Sequence, residues 1–167
     1  MKTDAINMRE FERIVRDFGP RLARIAASYE ADRSLQEDLL QDIMLAIYRA
    51  LPSLEKQESL APFIFRIAHN RSVSHVTKVV GARRQLDPHE MEHETTTPEQ
   101  LLLAKQRSSR LVAALRRLPL PYRQVMTLLL EDLSYAEIAE ALGLSLSNVG
   151  VRVNRSKAQL KAILNGD

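Results

Sequence analysis

The segment LSYAEIAEALGLSLSNVGVRVNRSKAQL, residues 133–160, predicts two short helices joined by a tight turn. Ser134 and Glu137 have the Ser-x-x-Glu spacing of a capping box, which opens a helix. Gly143 supplies the residue that ends this first helix and turns the chain, and Ser145 can cap the next helix. A helix, a turn and a second helix in this order are typical of a helix-turn-helix.

The second of these helices has one side for the core and one side for a partner. Its inward side carries residues at helical spacing from Val149 to Leu160. In a helix-turn-helix the opposite side enters the major groove of DNA. Asn154 and Arg155 can hydrogen-bond to base edges, whereas Lys161 suits a phosphate. The candidate DNA-contacting residues are Ser147, Asn148, Val151, Arg152, Asn154, Arg155 and Lys157.

Composition favours an all-α protein with two small domains. The chain has 167 residues, only 5 Gly and 7 Pro, and no alternating strand pattern. It has no cysteine, which excludes disulfides and thiolate metal sites and fits a reducing cytoplasm. No segment has the character of a signal peptide or the length needed to cross a bilayer. We therefore expect a soluble, cytoplasmic protein without membrane insertion.

Positive charge is concentrated at the C-terminal end. The net charge is +3, and residues 101–167 contain 10 basic and 5 acidic side chains. A basic C-terminal domain suits a phosphate-bearing partner such as DNA, although a merely solvated surface explains the charge equally well.

The first domain, residues 1–80, carries three predicted helical segments. Gly19 and Pro20 interrupt the first apolar stripe. A second Ser-x-x-Glu pattern, at Ser34 and Glu37, opens the next helix, which ends near Pro52. Pro62 lies in the first turn of the third helix, which is expected to direct inward Phe63, Ile64, Ile67 and Ala68.

Residues 81–97 lack an apolar stripe and are interpreted as a linker, and residues 98–167 form the second domain. Within the linker, His89 to His93 match the zinc motif H-E-x-x-H. A catalytic zinc also needs a third ligand and a cleft that excludes water, which a polar linker does not offer. Adventitious metal binding and a solvated charge run both remain open, and we expect no enzyme. The second-domain helices are expected at about residues 98–117, 121–131, 135–141 and 146–164.

Taken together, the two domains resemble an extracytoplasmic-function sigma factor, the small two-domain class of the sigma-70 family. The segment EDLLQD at residues 37–42, followed by YRAL at residues 48–51, is similar to the family segment that docks on the clamp coiled coil of RNA polymerase. The segment FIFRIAHN at residues 63–70 is similar to the promoter-melting and minus-ten helix. Residues 118–160 are similar to the region that reads the minus-thirty-five element.

The resemblance implies a function and a set of partners. The chain would bind core RNA polymerase through its beta-prime clamp coiled coil, bind promoter DNA and answer to an anti-sigma factor, with no cofactor or metal ion. The implied polymerase-binding residues are Asp38, Leu39, Gln41, Asp42, Leu45 and Arg49. The implied minus-ten residues are Phe65, Arg66, His69, Asn70, Arg71 and Lys78. The residues of the second helix named above would read the minus-thirty-five element.

The sequence also departs from the family pattern. Many members have Trp where this chain has Phe63, Arg in place of His69, and a basic residue and Ser in place of Gly150 and Val151. Gly150 also weakens its helix by about 1 kcal/mol relative to alanine. Two alternatives stay open: a stand-alone helix-turn-helix regulator, and a sigma mimic that sequesters an anti-sigma factor.

Overall fold

In a computed structural model, the structure describes residues 2–55, 60–83 and 103–166. Within these ranges the chain is helical and contains no β-strand. Residues 84–97 of the predicted linker, with His89 and His93, and the predicted helix start near residue 98 lie outside the described residues. The helices are α1 (Lys2–Tyr29), α2 (Arg33–Ala50), a 3-10 helix (Leu51–Ser53), α3 (Leu60–Arg83), α4 (Leu103–Arg117), α5 (Leu120–Leu130), α6 (Tyr135–Leu142) and α7 (Leu146–Gly166).

Helix α1 continues through Pro20, so the predicted interruption is wrong. Proline removes one backbone hydrogen bond, and that loss is tolerated because Pro20 lies on the exposed side, where water can bind the freed carbonyl. Ile14 and Leu22, on either side of the proline, are both buried in the core. Because both residues are held in the core, the helix continues across Gly19 and Pro20 without a break.

The start of α2 also differs from the prediction. Its N-cap is Asp32, whose side chain accepts a hydrogen bond of 2.9 Å from the backbone N–H of Leu35. Ser34 lies in the first turn and is exposed. Aspartate is at least as good a cap as serine, and the helix therefore begins two residues earlier than the Ser-x-x-Glu pattern predicts. It ends at Ala50, just before the 3-10 helix that contains Pro52.

The helix-turn-helix forms as the sequence predicts. Ser134 and Glu137 make both hydrogen bonds of the capping box, at 3.1 and 3.0 Å. Gly143 ends α6 with a φ of 66°, the left-handed conformation in which a side chain would be strained. Ser145 Oγ accepts a hydrogen bond of 3.1 Å from the N–H of Asn148 and so caps α7.

The two helical domains pack directly against each other. Helices α1–α3 form one bundle and α4–α7 the other, while α3 packs on α6 and α1 packs on α4 and α5. One core cluster therefore runs from Leu22 and Ile64 in the first domain to Val125 and Ile138 in the second. A smaller cluster, around Leu115, holds α4 against α5 and α7.

Helix α3 continues to Arg83, three residues beyond the predicted end of the first domain at residue 80. In the part of the chain that the structure describes, no helix combines the length and apolar character required to cross a membrane.

Candidate nucleic-acid interface and docking surface

Helix α2 presents an exposed outer side because its other side is fixed in the core. Ile43 and Ile47 are completely buried, which determines the rotation of the helix about its axis. Leu45 lies on the outer side with 46% of its surface exposed, an unusual position for a leucine. The predicted docking residues that are exposed with it are Asp38, Gln41 and Arg49.

Leu39 and Asp42 differ from the other predicted docking residues. Leu39 is buried in the core, so it positions α2 and offers no surface to a partner. Asp42 accepts two hydrogen bonds from Arg71 of α3, at 2.7 and 3.0 Å. This ion pair raises the pKa of Arg71 and joins a predicted polymerase contact to a predicted DNA contact. Sequence spacing alone does not reveal the pair, because the two residues lie on different helices.

Phe65 occupies the core of α3, which corrects its expected place beside a DNA strand. Its ring is completely buried. Phe18 packs edge-to-face against it with 5.9 Å between ring centroids, and the guanidinium of Arg21 lies 4.7 Å from the ring centroid. Phe63, which the sequence directs inward, is half-buried. In this arrangement Phe65 contributes packing, and no base can stack on it.

His69 is a half-buried and neutral side chain. Burial lowers its pKa from 6.5 to about 4. Within the described residues its Nδ1 is buried without a hydrogen-bond partner. A neutral imidazole cannot attract a phosphate as arginine does. With His69 in place of the arginine that the resemblance leads us to expect, α3 therefore has one cation fewer at neutral pH.

Arg66 of α3 is exposed, yet it reaches into the second domain. Its Nη2 donates to the carbonyl of Glu140, and its Nε donates to the carbonyl of Ala141 at 3.4 Å. Both carbonyls belong to the last turn of α6, where a cation also complements the helix dipole. The minus-ten candidates of α3 that remain exposed are Asn70, Arg71 and Lys78.

Helix α7 turns the predicted reading side toward solvent. Val149 and Val153 are completely buried. Ser156 is buried as well, and its hydroxyl lies 3.3 Å from the Tyr122 carbonyl and 2.6 Å from the Arg152 carbonyl. Arg152 is half-buried, and its Nε donates to Asn148 Oδ1 at 3.1 Å. The remaining candidates on this side are all exposed: Ser147, Asn148, Val151, Asn154, Arg155 and Lys157.

Sequence reasoning missed a cluster of charged contacts between the two domains. Glu131, at the end of α5, is buried and binds Arg24 of α1 through two hydrogen bonds, of 2.8 and 2.9 Å. Arg21 donates to the backbone carbonyl of Glu131. From α4, Arg116 donates to the Ala27 carbonyl at 2.7 Å. An acidic residue directly after the apolar run LLL was the available signal, but its partner lies more than 100 residues away.

A tyrosine lies at the same junction. Burial raises the pKa of Tyr29 to about 12 despite a hydrogen bond to Thr127. The guanidinium of Arg123 lies 5.6 Å from the centroid of the Tyr29 ring. Burial also lowers the pKa of Arg123 and of Arg116. The junction is therefore a packed interface with its own buried polar groups.

Metal binding finds no support in the described ranges. Residues 2–55, 60–83 and 103–166 contain no group of three or more His, Asp or Glu side chains placed to hold an ion. The histidines of the H-E-x-x-H pattern lie outside these ranges.

Comparison with known proteins gives matches over both domains. The family model of sigma-70 region 2 matches residues 14–80, and that of sigma-70 region 4 matches residues 108–160. The RNA polymerase sigma factor SigZ of Bacillus subtilis is 30% identical over 137 residues, which are 81% of this chain and 76% of SigZ.

Two further relatives extend these matches over almost the whole chain. RNA polymerase sigma factor NccH of Alcaligenes xylosoxydans xylosoxydans is 29% identical over 92% of this chain and 86% of its own. The ECF RNA polymerase sigma factor SigE of Mycolicibacterium smegmatis is 27% identical over 96% of this chain and 64% of its own.

Two solved structures have the same fold. One is the sigma factor RpoE of Bartonella quintana in complex with the anti-sigma factor NepR, with a TM-score of 0.76 and 24% identity. It covers 95% of this chain and 99% of RpoE. The other is CnrH in complex with the cytosolic domain of CnrY, with a TM-score of 0.69 and 24% identity over 96% of this chain and 90% of CnrH.

Proposed function

The chain belongs to the sigma-70 family of RNA polymerase sigma factors, in its extracytoplasmic-function class, and we propose which of its surfaces contact RNA polymerase and which contact promoter DNA during promoter-specific initiation. As a sigma factor it binds core RNA polymerase and directs it to promoter DNA. The family is not one of catalytic enzymes. In our proposal the protein acts in the cytoplasm, where α2 binds the polymerase, α3 contacts the minus-ten segment, and α7 reads the minus-thirty-five element.

The proposal that the chain docks on RNA polymerase through α2 rests on the exposed side of this helix. Leu45 is a solvent-facing apolar residue. By the rise of about 1.5 Å per residue, Asp38 lies about 10 Å along the helix on one side of it and Arg49 about 6 Å on the other. An apolar anchor with charged neighbours is typical of a protein-binding surface. The second domain packs on α1 and α3, which leaves this side of α2 open to the clamp coiled coil.

Competition for core RNA polymerase tests this assignment. Asp38→Lys should weaken binding by about tenfold, because reversing a charge at a complementary interface replaces attraction with repulsion. Asp38 is the better residue for this test, because a change at Asp42 would also break its ion pair with Arg71. Adding Asp42→Lys should weaken binding further. Asp17→Lys makes the same charge change at an exposed position of α1 and should leave binding unchanged. Equal competition by Asp38→Lys and the wild type would contradict the proposal.

For the minus-ten segment we propose Asn70 as the main contact, with Arg71 and Lys78 nearby on α3. All three are exposed, and amide and guanidinium groups suit unpaired bases and their phosphates. Arg66 can join them only after it leaves the carbonyls of α6. A contribution of Arg66 to minus-ten binding therefore requires its contact with α6 to open, whereas Asn70, Arg71 and Lys78 are already exposed.

For the minus-thirty-five element we propose Arg155 as the main base contact, supported by Asn154. Both are exposed on the outer side of α7. Arg152 and Lys157 flank that side and suit phosphates. Because the chain offers few contacts on each element, polymerase and the second element must supply the rest of the affinity.

We also propose that an anti-sigma factor controls this chain. RpoE of Bartonella quintana, which has the same fold, was solved with such a factor. A partner of this kind would be expected to displace core polymerase from the chain in a competition assay. A bound candidate that leaves polymerase binding unchanged would not be an anti-sigma factor for this protein.

A further inference from the structure

Val151 stands out among the exposed residues of α7. It is one of seven large hydrophobic side chains exposed in the described part of the chain, with 45% of its surface accessible. By helical geometry its neighbours on the outer side are Ser147, Asn154 and Arg155, all polar and exposed. Among the described residues, Val151 is thus the one large apolar side chain on the side of α7 that is proposed to face DNA.

The direction of the Val151 side chain is fixed by the fold. Val149 and Val153, two residues before and after it, are completely buried, so α7 cannot rotate about its axis. Valine is branched at Cβ and keeps mostly one rotamer in a helix. Its two methyl groups are therefore held in place before any ligand arrives, and little conformational entropy is lost on contact.

The side chains around Val151 are neutral or basic, which suits DNA, whereas those on the outer side of α2 with Leu45 include the carboxylate of Asp38, which DNA phosphates would repel. Leu146 and Tyr135 are also exposed, but they lie on the flank of α7 near Gly150, where the Tyr135 ring is 3.9 Å from the position of a Gly150 Cβ. The C5-methyl of thymine is the one apolar group on the base edges of the major groove.

We propose that Val151 reads a thymine C5-methyl group in the minus-thirty-five element. The inference rests on the proposed function of α7 and adds to it a named chemical feature of the DNA. Val151 then gives specificity at one A·T pair by apolar contact, next to the pairs that Arg155 and Asn154 read by hydrogen bonds. A position that lacks the polar residue of many family members is on this view a reading position for a methyl group.

The test begins with duplexes that the protein selects for itself. Core polymerase loaded with the wild-type chain selects from a random-sequence library, and each thymine of the enriched upstream element is then replaced by deoxyuridine, which lacks only the methyl group. At one thymine the replacement should weaken wild-type binding by about fourfold. This factor corresponds to the loss of about 0.8 kcal/mol for one buried methyl-sized group. With Val151→Ala the same replacement should change binding less than about 1.5-fold.

A second substitution in the DNA separates the methyl group from the rest of the base. Replacing that T·A pair with a C·G pair should weaken binding. Using 5-methylcytosine for the cytosine should recover part of the lost binding with the wild type but not with Val151→Ala. Val15→Ala, an equally small change at a valine of α1 that is 39% exposed, is the matched control and should behave as wild type.

The outcomes separate this inference from the function on which it rests. If an upstream element is enriched but deoxyuridine has no effect, or has the same effect with Val151→Ala, the reading of a methyl group by Val151 is overturned. If Val151→Ala instead weakens only the binding of a protein partner, the inference is overturned in favour of a protein contact. If no upstream element is enriched at all, the assignment of α7 to the minus-thirty-five element fails first.

Discussion

Arg24 of α1 and Glu131 of α5 form a two-hydrogen-bond ion pair across the junction of the two domains, with N–O distances of 2.8 and 2.9 Å. The hydrogen bonds to Glu131 raise the pKa of Arg24. Glu131 is buried, whereas Arg24 is largely exposed. Paired charges with one member buried resist separation more than surface pairs do, because the buried carboxylate depends on its partner.

The first prediction concerns this pair. Glu131→Gln should lower the free energy of unfolding by about 2 kcal/mol, since it removes charge-assisted hydrogen bonds at a buried position. Urea denaturation measures the change. Glu12→Gln is the matched control, because it makes the same change at an exposed position of α1 and should leave the free energy of unfolding nearly unchanged. If the effects of Arg24→Gln and Glu131→Gln add fully in the double variant, the two side chains are not coupled and the interpretation is wrong.

The second prediction concerns His69 and pH. Burial holds its pKa at about 4 in the folded chain, below the ordinary value of 6.5 that the unfolded chain recovers. Between about pH 6.5 and 4 the unfolded chain binds a proton that the folded chain does not, so stability falls as the pH falls. The loss due to His69 amounts to about 3 kcal/mol at pH 4.

His69→Gln removes this titration. Its free energy of unfolding, followed by urea denaturation from pH 7 to 4, should fall less steeply than that of the wild type, and above pH 7 the gap between the two proteins should stay constant. Parallel curves for the two proteins from pH 6.5 to 4 would mean that His69 titrates normally in the folded chain.

The third prediction compares two glycines of the helix-turn-helix. A Cβ at Gly150 would meet only the Tyr135 ring, at 3.9 Å, so Gly150→Ala should stabilise α7 by about 1 kcal/mol. Gly143→Ala should destabilise by about 1 kcal/mol because of its φ of 66°. Thermal denaturation measures both. A destabilised Gly150→Ala would show that the backbone at Gly150 needs the freedom of glycine.

The fourth prediction concerns the minus-ten segment. Asn70→Ala should reduce permanganate reactivity in the promoter bubble more than it reduces binding to duplex promoter DNA, because an amide at this exposed site contacts bases only after strand separation. Asn165→Ala, at the exposed end of α7, makes the same change far along the chain and should leave the bubble intact. Normal bubble formation with Asn70→Ala would remove Asn70 from the minus-ten contacts.

Local signals predicted the helix-turn-helix well. The capping box at Ser134, the left-handed Gly143 and the cap at Ser145 each depend on residues within a few positions, and each is confirmed. The inward residues Val149 and Val153 followed from helical spacing alone. Family resemblance added the order of the domains and the kinds of partner, which local patterns do not contain.

Features that depend on distant residues were not predictable in the same way. Pro20 stays inside α1 because the core on both sides outweighs the lost hydrogen bond. Phe65 is buried because Phe18 and Arg21 of α1 cover it, and the spacing of α3 itself does not distinguish it from Phe63. The pairing of Arg24 with Glu131 depends on how the two domains dock, and the sequence pattern of a single helix does not indicate this.

Reconstituted transcription tests the central claim most directly. Core RNA polymerase with the purified chain should initiate at discrete start sites on a library of genomic fragments, the upstream DNA of these sites should share two elements, and Arg155→Ala should relax preference at one or two base pairs of the upstream element. Lys161→Ala should instead weaken all promoters about equally and reduce the salt dependence. The chain alone should bind duplex DNA weakly. Tight duplex binding by the chain alone, with no transcripts from the loaded polymerase, would contradict the account and favour a stand-alone regulator.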